Sequence, residues 1–170
     1  WLIAALAALA EFPDAVRLPF SPTHWSKRGR YNVRLFCLKS KDWKTFSIDD
    51  RFAVHTADGG LYFSKLTSEG ELWPALLEKA VAVLFGGYQK LKGGWGPTGW
   101  AILTGCELAY SMRKLDGTDT WKRRKMIWKT NGNPSYRFAK WSDGSSGRRV
   151  KPTEELLDML VEWDRCNFLM

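Results

Sequence analysis

Five side chains could in principle supply a thiol and its base: Cys37, Cys106, Cys166, His24 and His55. A thiol becomes a useful nucleophile when a base, a cation or a helix N-terminus stabilises its thiolate. None of the three cysteines stands at a telling distance from either histidine. Cys37 alternates with apolar residues as a buried strand position would, and both histidines fall in turn-like sequence suited to exposed or capping roles. Asp49 and Asp50 offer a pair of carboxylates, but neighbours on an extended chain point to opposite faces, so a structural turn is the expected role. Ser68 and Glu71 have the spacing of a capping box. Lys122, Arg123, Arg124 and Lys125, inside WKRRKMIWK, mix basic and aromatic residues as surfaces for nucleic acid or acidic partners do. No zinc-finger, RNP or helix-turn-helix pattern accompanies them, and a solvated segment is the plainer expectation.

These residues must be positioned by elements that the hydrophobic pattern outlines. The run from Trp1 to Glu11 is alanine-rich, bulky at Leu2, Ile3, Leu6 and Leu9, and apolar on nearly every side, which predicts a buried helix. No capping residue precedes Trp1, so the domain is expected to begin upstream. With about ten apolar residues the run is half of the roughly 20 that a membrane span needs, and no signal cleavage pattern follows it. Alternation predicts a strand over Tyr31 to Leu38, a hairpin partner over Trp43 to Ile48, and a short third strand at Leu61 to Phe63. The stripe Trp73, Leu76, Leu77, Ala80, Val81 and Leu84 predicts a helix packed against the first. The glycines from Gly86 to Gly96 punctuate the chain, and a lobe boundary is expected there, dividing it into residues 1–95 and 96–170. Cys106 to Met112 fits a strand or a short helix. Glu154 to Trp163 predicts another helix, with Leu156, Leu157, Leu160 and Trp163 inward, and Cys166 to Met170 reads as the start of a strand.

The 170 residues suffice for one core or two small lobes, and ten tryptophans argue against disorder. The formal charge of +8 is local: between Trp121 and Lys151 ten Lys or Arg face the single Asp143, a balance of +9, which leaves the rest near −1. Three widely spaced cysteines fit neither a disulfide framework nor a CxxC metal site, and suggest a reducing, intracellular compartment.

Several stretches resemble the protease core of calpains, the calcium-dependent papain-like cysteine peptidases: WLIAALAAL from Trp1, WKTFSIDDRFA from Trp43, GGLYFSKL from Gly59, ELWPALLEKAVAVLFGGYQKLKGG from Glu71, and LTG at Leu103 to Gly105. Their order agrees over about the first 105 residues, whereas 121–151 is poorly matched and reads as an insertion. The resemblance implies an α+β papain-like fold, incomplete at both ends, with a mainly helical first lobe carrying a hairpin and a partial second lobe. It implies peptide-bond hydrolysis through a thioester, calcium as activator with no organic cofactor, protein substrates or partners, and a cytoplasmic setting. The family pattern puts the nucleophilic cysteine directly before Trp1, and the histidine and asparagine beyond Met170, so no catalytic residue falls on this chain. It assigns Glu71 to a calcium site, Gly93 and Gly94 to the substrate cleft, Asp49 and Asp50 to a structural signature, and Trp73 to the core. Ala53 and Cys106 depart from the proline and glycine more usual there. A catalytically inactive interaction module and a nucleic-acid-binding basic region are the alternatives.

Overall fold

The computed structural model describes residues 1–12, 14–66, 69–128, 134–141 and 148–166. The chain divides into two compact units, Trp1–Cys106 and Glu107–Met170. This division falls later than the expected boundary at residue 95, because the helix following that boundary belongs to the first unit.

In the first unit the apolar N-terminal run forms α1 (Leu2–Ala10), burying Leu2, Ala5, Leu6 and Leu9. Phe20–Ser21 (β1), Arg30–Cys37 (β2) and Asp42–Asp49 (β3) make an antiparallel sheet in the order β1-β2-β3. The β2–β3 register runs from Arg30 opposite Asp49 to Cys37 opposite Asp42. Tyr31, Val33 and Leu35 alternate into the core, as the sequence pattern requires of a half-buried strand. The expected strand at Leu61 to Phe63 reduces to one bridge between Val54 and Leu61. Tyr62 and Phe63 turn outward to stack, Tyr62 on His55 with ring centroids 4.0 Å apart and Phe63 on Tyr88 at 3.9 Å.

The helix α2 (Trp73–Phe85) buries Ala75, Leu76, Leu77, Ala80, Val81 and Ala82 and lies against α1 and the sheet. Leu72 is its N-cap and makes no side-chain cap bond; Ser68, the expected capping partner, lies outside the described residues. Gly86 ends the helix in the left-handed region, with φ 86°, where a Cβ would be strained. After a 3-10 turn at Tyr88–Leu91, α3 (Gly96–Thr104) rests on α1 and β2. Its end is fixed on the sheet: a Cβ at Gly105 would stand 2.8 Å from Cζ2 of Trp43.

In the second unit Tyr110–Lys114 (β4), Thr120–Trp128 (β5) and Pro134–Ala139 (β6) are antiparallel, and Lys151–Pro152 (β7) pairs with the start of β5. Cys106 to Met112 thus resolves into extended chain and a strand. The basic segment is the central strand of a sheet, which its Lys and Arg content hides from a hydrophobicity pattern. The helix α4 (Thr153–Arg165) lies where expected but buries only Leu156; Leu157 and Val161 are exposed. The strand expected from Cys166 starts with a residue that caps α4, and its remainder lies outside the described residues.

Candidate functional site at the start of the first helix

Trp1 is the N-cap residue of α1 and makes no side-chain cap bond, and the first turn carries no acidic residue; the first-turn amides of a helix and its positive dipole end favour negative charge. Such an end stabilises an anion placed against it, a thiolate included. What fixes this end is Trp1. Its Nε1 donates to the carbonyl of Leu91 at 3.1 Å, and its ring meets Phe85 edge-on at 6.1 Å.

Gly94 lies directly against that indole. A Cβ there would fall 2.5 Å from Cε2 of Trp1, so only glycine lets the backbone approach this closely. Gly99 serves α3 in the same way, since its Cβ would meet that of Ala5 at 2.6 Å. Two residues singled out for different reasons, Trp1 and Gly94, are therefore one contact. Gly93 and Gly94 are exposed, and among the described residues no hydrogen bond occupies their amides or carbonyls. Exposed, unoccupied backbone of this kind can pair with an extended peptide.

The remaining candidates have partners of their own. Asp49 is a structural acid: its Oδ1 accepts from Lys79 Nζ at 2.5 Å and from the Arg51 amide at 3.1 Å. Lys79 also donates to the carbonyls of Asp49, at 3.0 Å, and Arg51, tying α2 to the end of the hairpin. The Lys79 hydrogen bond, with help from the Arg51 amide, holds the Asp49 carboxyl below its ordinary range. Asp50 faces Gly29 instead, where a Cβ would come within 2.5 Å of its Oδ1. Trp73 is half-buried rather than a core residue, and its Nε1 donates to Glu71 Oε2 at 3.2 Å.

Glu71 is exposed. Among the described residues no group of three or more His, Cys, Asp or Glu comes together to hold a metal. Calcium takes about six to eight oxygens, and one carboxylate engaged by an indole does not make that set. The described residues therefore do not fit calcium on their own.

Of the basic four, Arg123 is only 6% exposed, with its guanidinium over the rings of Tyr110 and Trp141 and Nη2 donating to the Lys140 carbonyl. Lys122 and Arg124 lie over Phe138 and Tyr136, and strand alternation places them on the face opposite Arg123 and Lys125. The run is two half-faces and not a single basic surface. Among the described residues no hydrogen bond joins any cysteine to His24 or His55; Cys37 is buried, while Cys106 and Cys166 are exposed. No helix of the described residues is long and apolar enough to cross a membrane.

A family model described as calpain family cysteine protease matches residues 1–131. The chain belongs to the calpain family. The match continues past the first unit through β5. The chain is 32% identical over 105 residues to the calpain-type cysteine protease ADL1 of Oryza sativa subsp. japonica, a match covering 62% of this chain and 5% of that protein. It is 35% identical over 95 residues to calpain-12 of Homo sapiens, covering 55% of this chain and 13% of the relative. With the calpain-2 catalytic subunit of Mus musculus it shares 33% over 108 residues, covering 62% and 15%. The chain thus spans a small fraction of the length of these calpains.

The locking role of Trp1 is invisible to composition, since an aromatic residue opening an apolar run reads only as core. The glycine pair read as chain punctuation and, through the resemblance, as cleft backbone; its contact with Trp1 was not part of either reading.

Proposed function

We propose that this chain forms part of a papain-like cysteine endopeptidase core, which cleaves peptide bonds through a thioester acyl-enzyme. The observation that supports this reading best is the contact of Trp1 with Gly94, which brings the start of α1 beside open glycine backbone. The family pattern supplies a cysteine directly before Trp1 and a histidine beyond Met170 in the parent polypeptide.

In this reading the first-turn amides of α1 stabilise the cysteine thiolate, which attacks the scissile carbonyl carbon. The carbon–nitrogen bond breaks, the histidine gives its proton to the departing amine, and a thioester remains. Water, deprotonated by the same histidine, then releases the acid and returns the thiol. Gly93 and Gly94 hold the substrate extended by backbone hydrogen bonds, so protein chains are the substrate class. Glu71 would offer calcium a single carboxylate, as one ligand of a set completed outside the described residues. Three cysteines held as thiols agree with an intracellular setting.

Peptide mapping of the parent by tandem mass spectrometry across both junctions tests the assignment. A cysteine immediately before Trp1 that an epoxysuccinyl inhibitor alkylates, and a histidine after Met170, are expected. Any other residue in either place overturns the protease reading in favour of an inactive calpain-like interaction module.

A further inference from the structure

The open end of the β2–β3 hairpin carries a feature that the protease reading does not use. Lys27, Arg28, Gly29, Arg30, Asp49, Asp50 and Arg51 line an open depression of about 450 Å³. The four cations are exposed, and none lies within ion-pair distance of a carboxylate among the described residues. Asp49 is already matched by Lys79. Four cations against Asp50 then leave three positive charges in excess, in a unit whose surrounding sequence has almost no net charge.

The two turns that bear these cations are held rigidly. The Gly29 amide donates to the Ser26 carbonyl at 2.9 Å and the Arg30 amide to Ser26 Oγ at 3.3 Å. The Ser26 amide donates to the Tyr31 hydroxyl at 3.1 Å, fastening the turn to β2. Across the depression the Asp50 amide donates to the Gly29 carbonyl at 3.0 Å, and Gly29, at φ 60°, fits against the Asp50 carboxylate where no Cβ could. Turns tied in this way present the four side chains from an ordered backbone, and arginine forks match carboxylates two bonds at a time.

We infer that this depression is a docking site for an acidic polypeptide segment, apart from the start of α1 and independent of catalysis. A peptide fits better than the other polyanions. No aromatic residue lines the depression to stack a base, and a flat lipid surface would meet only the rim of a concave site. Asp49 and Asp50 beside the cations also offer acceptors to peptide amides, which phosphodiesters lack.

Fluorescence anisotropy with a fluorescein-labelled oligoglutamate peptide and the full chain tests this. Saturable, salt-weakened binding is expected, reduced about tenfold or more by Arg28→Gln with Arg51→Gln, in line with the loss of two charge-assisted contacts. Lys122→Gln with Lys125→Gln removes the same charge elsewhere and should leave affinity within about twofold. Equal losses from the two pairs, or no binding, would sink the site. Trp25, 67% exposed just before Lys27, makes a lipid arm necessary. Tighter binding to phosphatidylserine–phosphatidylcholine vesicles or to oligothymidylate, abolished by the Arg28/Arg51 substitutions, would overturn the peptide assignment. Complete displacement of the peptide by millimolar inorganic phosphate would likewise reduce the site to a simple anion pocket.

Discussion

The hydrogen of Gly94 is what permits Trp1 to lie where it does. In Gly94→Ala the new methyl group must displace the indole, and overpacking of this kind costs about 1–3 kcal/mol. Gly93 has open space where its Cβ would be, so Gly93→Ala is expected within about 0.5 kcal/mol of the unaltered chain. Urea unfolding of the two variants separates a packing requirement at one glycine from general flexibility of the pair; equal losses would refute the contact. Asp49 makes the other residue-scale prediction. Because its folded pKa lies below the ordinary carboxylate value near 4, its contribution is present above that value and lost as pH falls through the lowered one. Lys79→Met removes the partner responsible, so the stability difference between it and the unaltered chain should shrink as pH falls from about 5 to below 3. Thermal melts across that range check the sign, and a constant difference would show that the ion pair is not its source.

Among the elements, those whose side chains partition cleanly were readable from the sequence and those whose polar residues are buried were not. The run from Tyr31 alternates because one face of β2 meets the core and the other does not, and the α2 stripe repeats at helical spacing for the same reason. In β5 the inward positions include Arg123, and no hydropathy pattern assigns an arginine to the interior. Its aliphatic stem and guanidinium fill a space between two aromatic rings, with Trp141 supplied from well along the chain. The reverse error arises at α4, where helical spacing predicted an inward Leu157 that is 55% exposed, since periodicity marks a face without saying what covers it. If Arg123 is a core residue, Arg123→Ala should destabilise the second unit by about 2–4 kcal/mol through lost packing and a stranded carbonyl. Lys125→Ala on the same strand should change stability by less than about 0.5 kcal/mol. Hydrogen exchange of the β4–β5–β6 amides provides the readout, and equal effects would return Arg123 to the surface.

At the scale of the whole chain, the cleft role of Gly93 and Gly94 came from the family resemblance, while the helix starting at Trp1 and the glycine punctuation were visible in the local pattern. Their juxtaposition was not, because it joins Trp1 to Gly94 through a fold that no local pattern encodes. The basic depression was hidden for a related reason. Lys27, Arg28 and Arg30 fall between the predicted elements, and Arg51 joins them only when the hairpin closes. The distribution of thiols and imidazoles carries the last prediction. Nucleophilic catalysis by cysteine needs a thiolate at neutral pH and a base within hydrogen-bonding reach. Burial raises the Cys37 thiol, but hydrogen bonds from Ser40 and the Lys39 backbone and the charge of Lys44 outweigh it and hold the thiol below its ordinary range, so what Cys37 lacks among the described residues is a histidine base. His55 is stacked on Tyr62, and neither histidine bonds a cysteine among the described residues. The 170-residue chain by itself should therefore leave a fluorogenic peptide uncleaved, and an epoxysuccinyl inhibitor should not single out Cys37, Cys106 or Cys166 for stoichiometric alkylation. Selective alkylation of one of them, with peptide hydrolysis lost in its serine variant, would move the nucleophile away from the start of α1 and require a different active site.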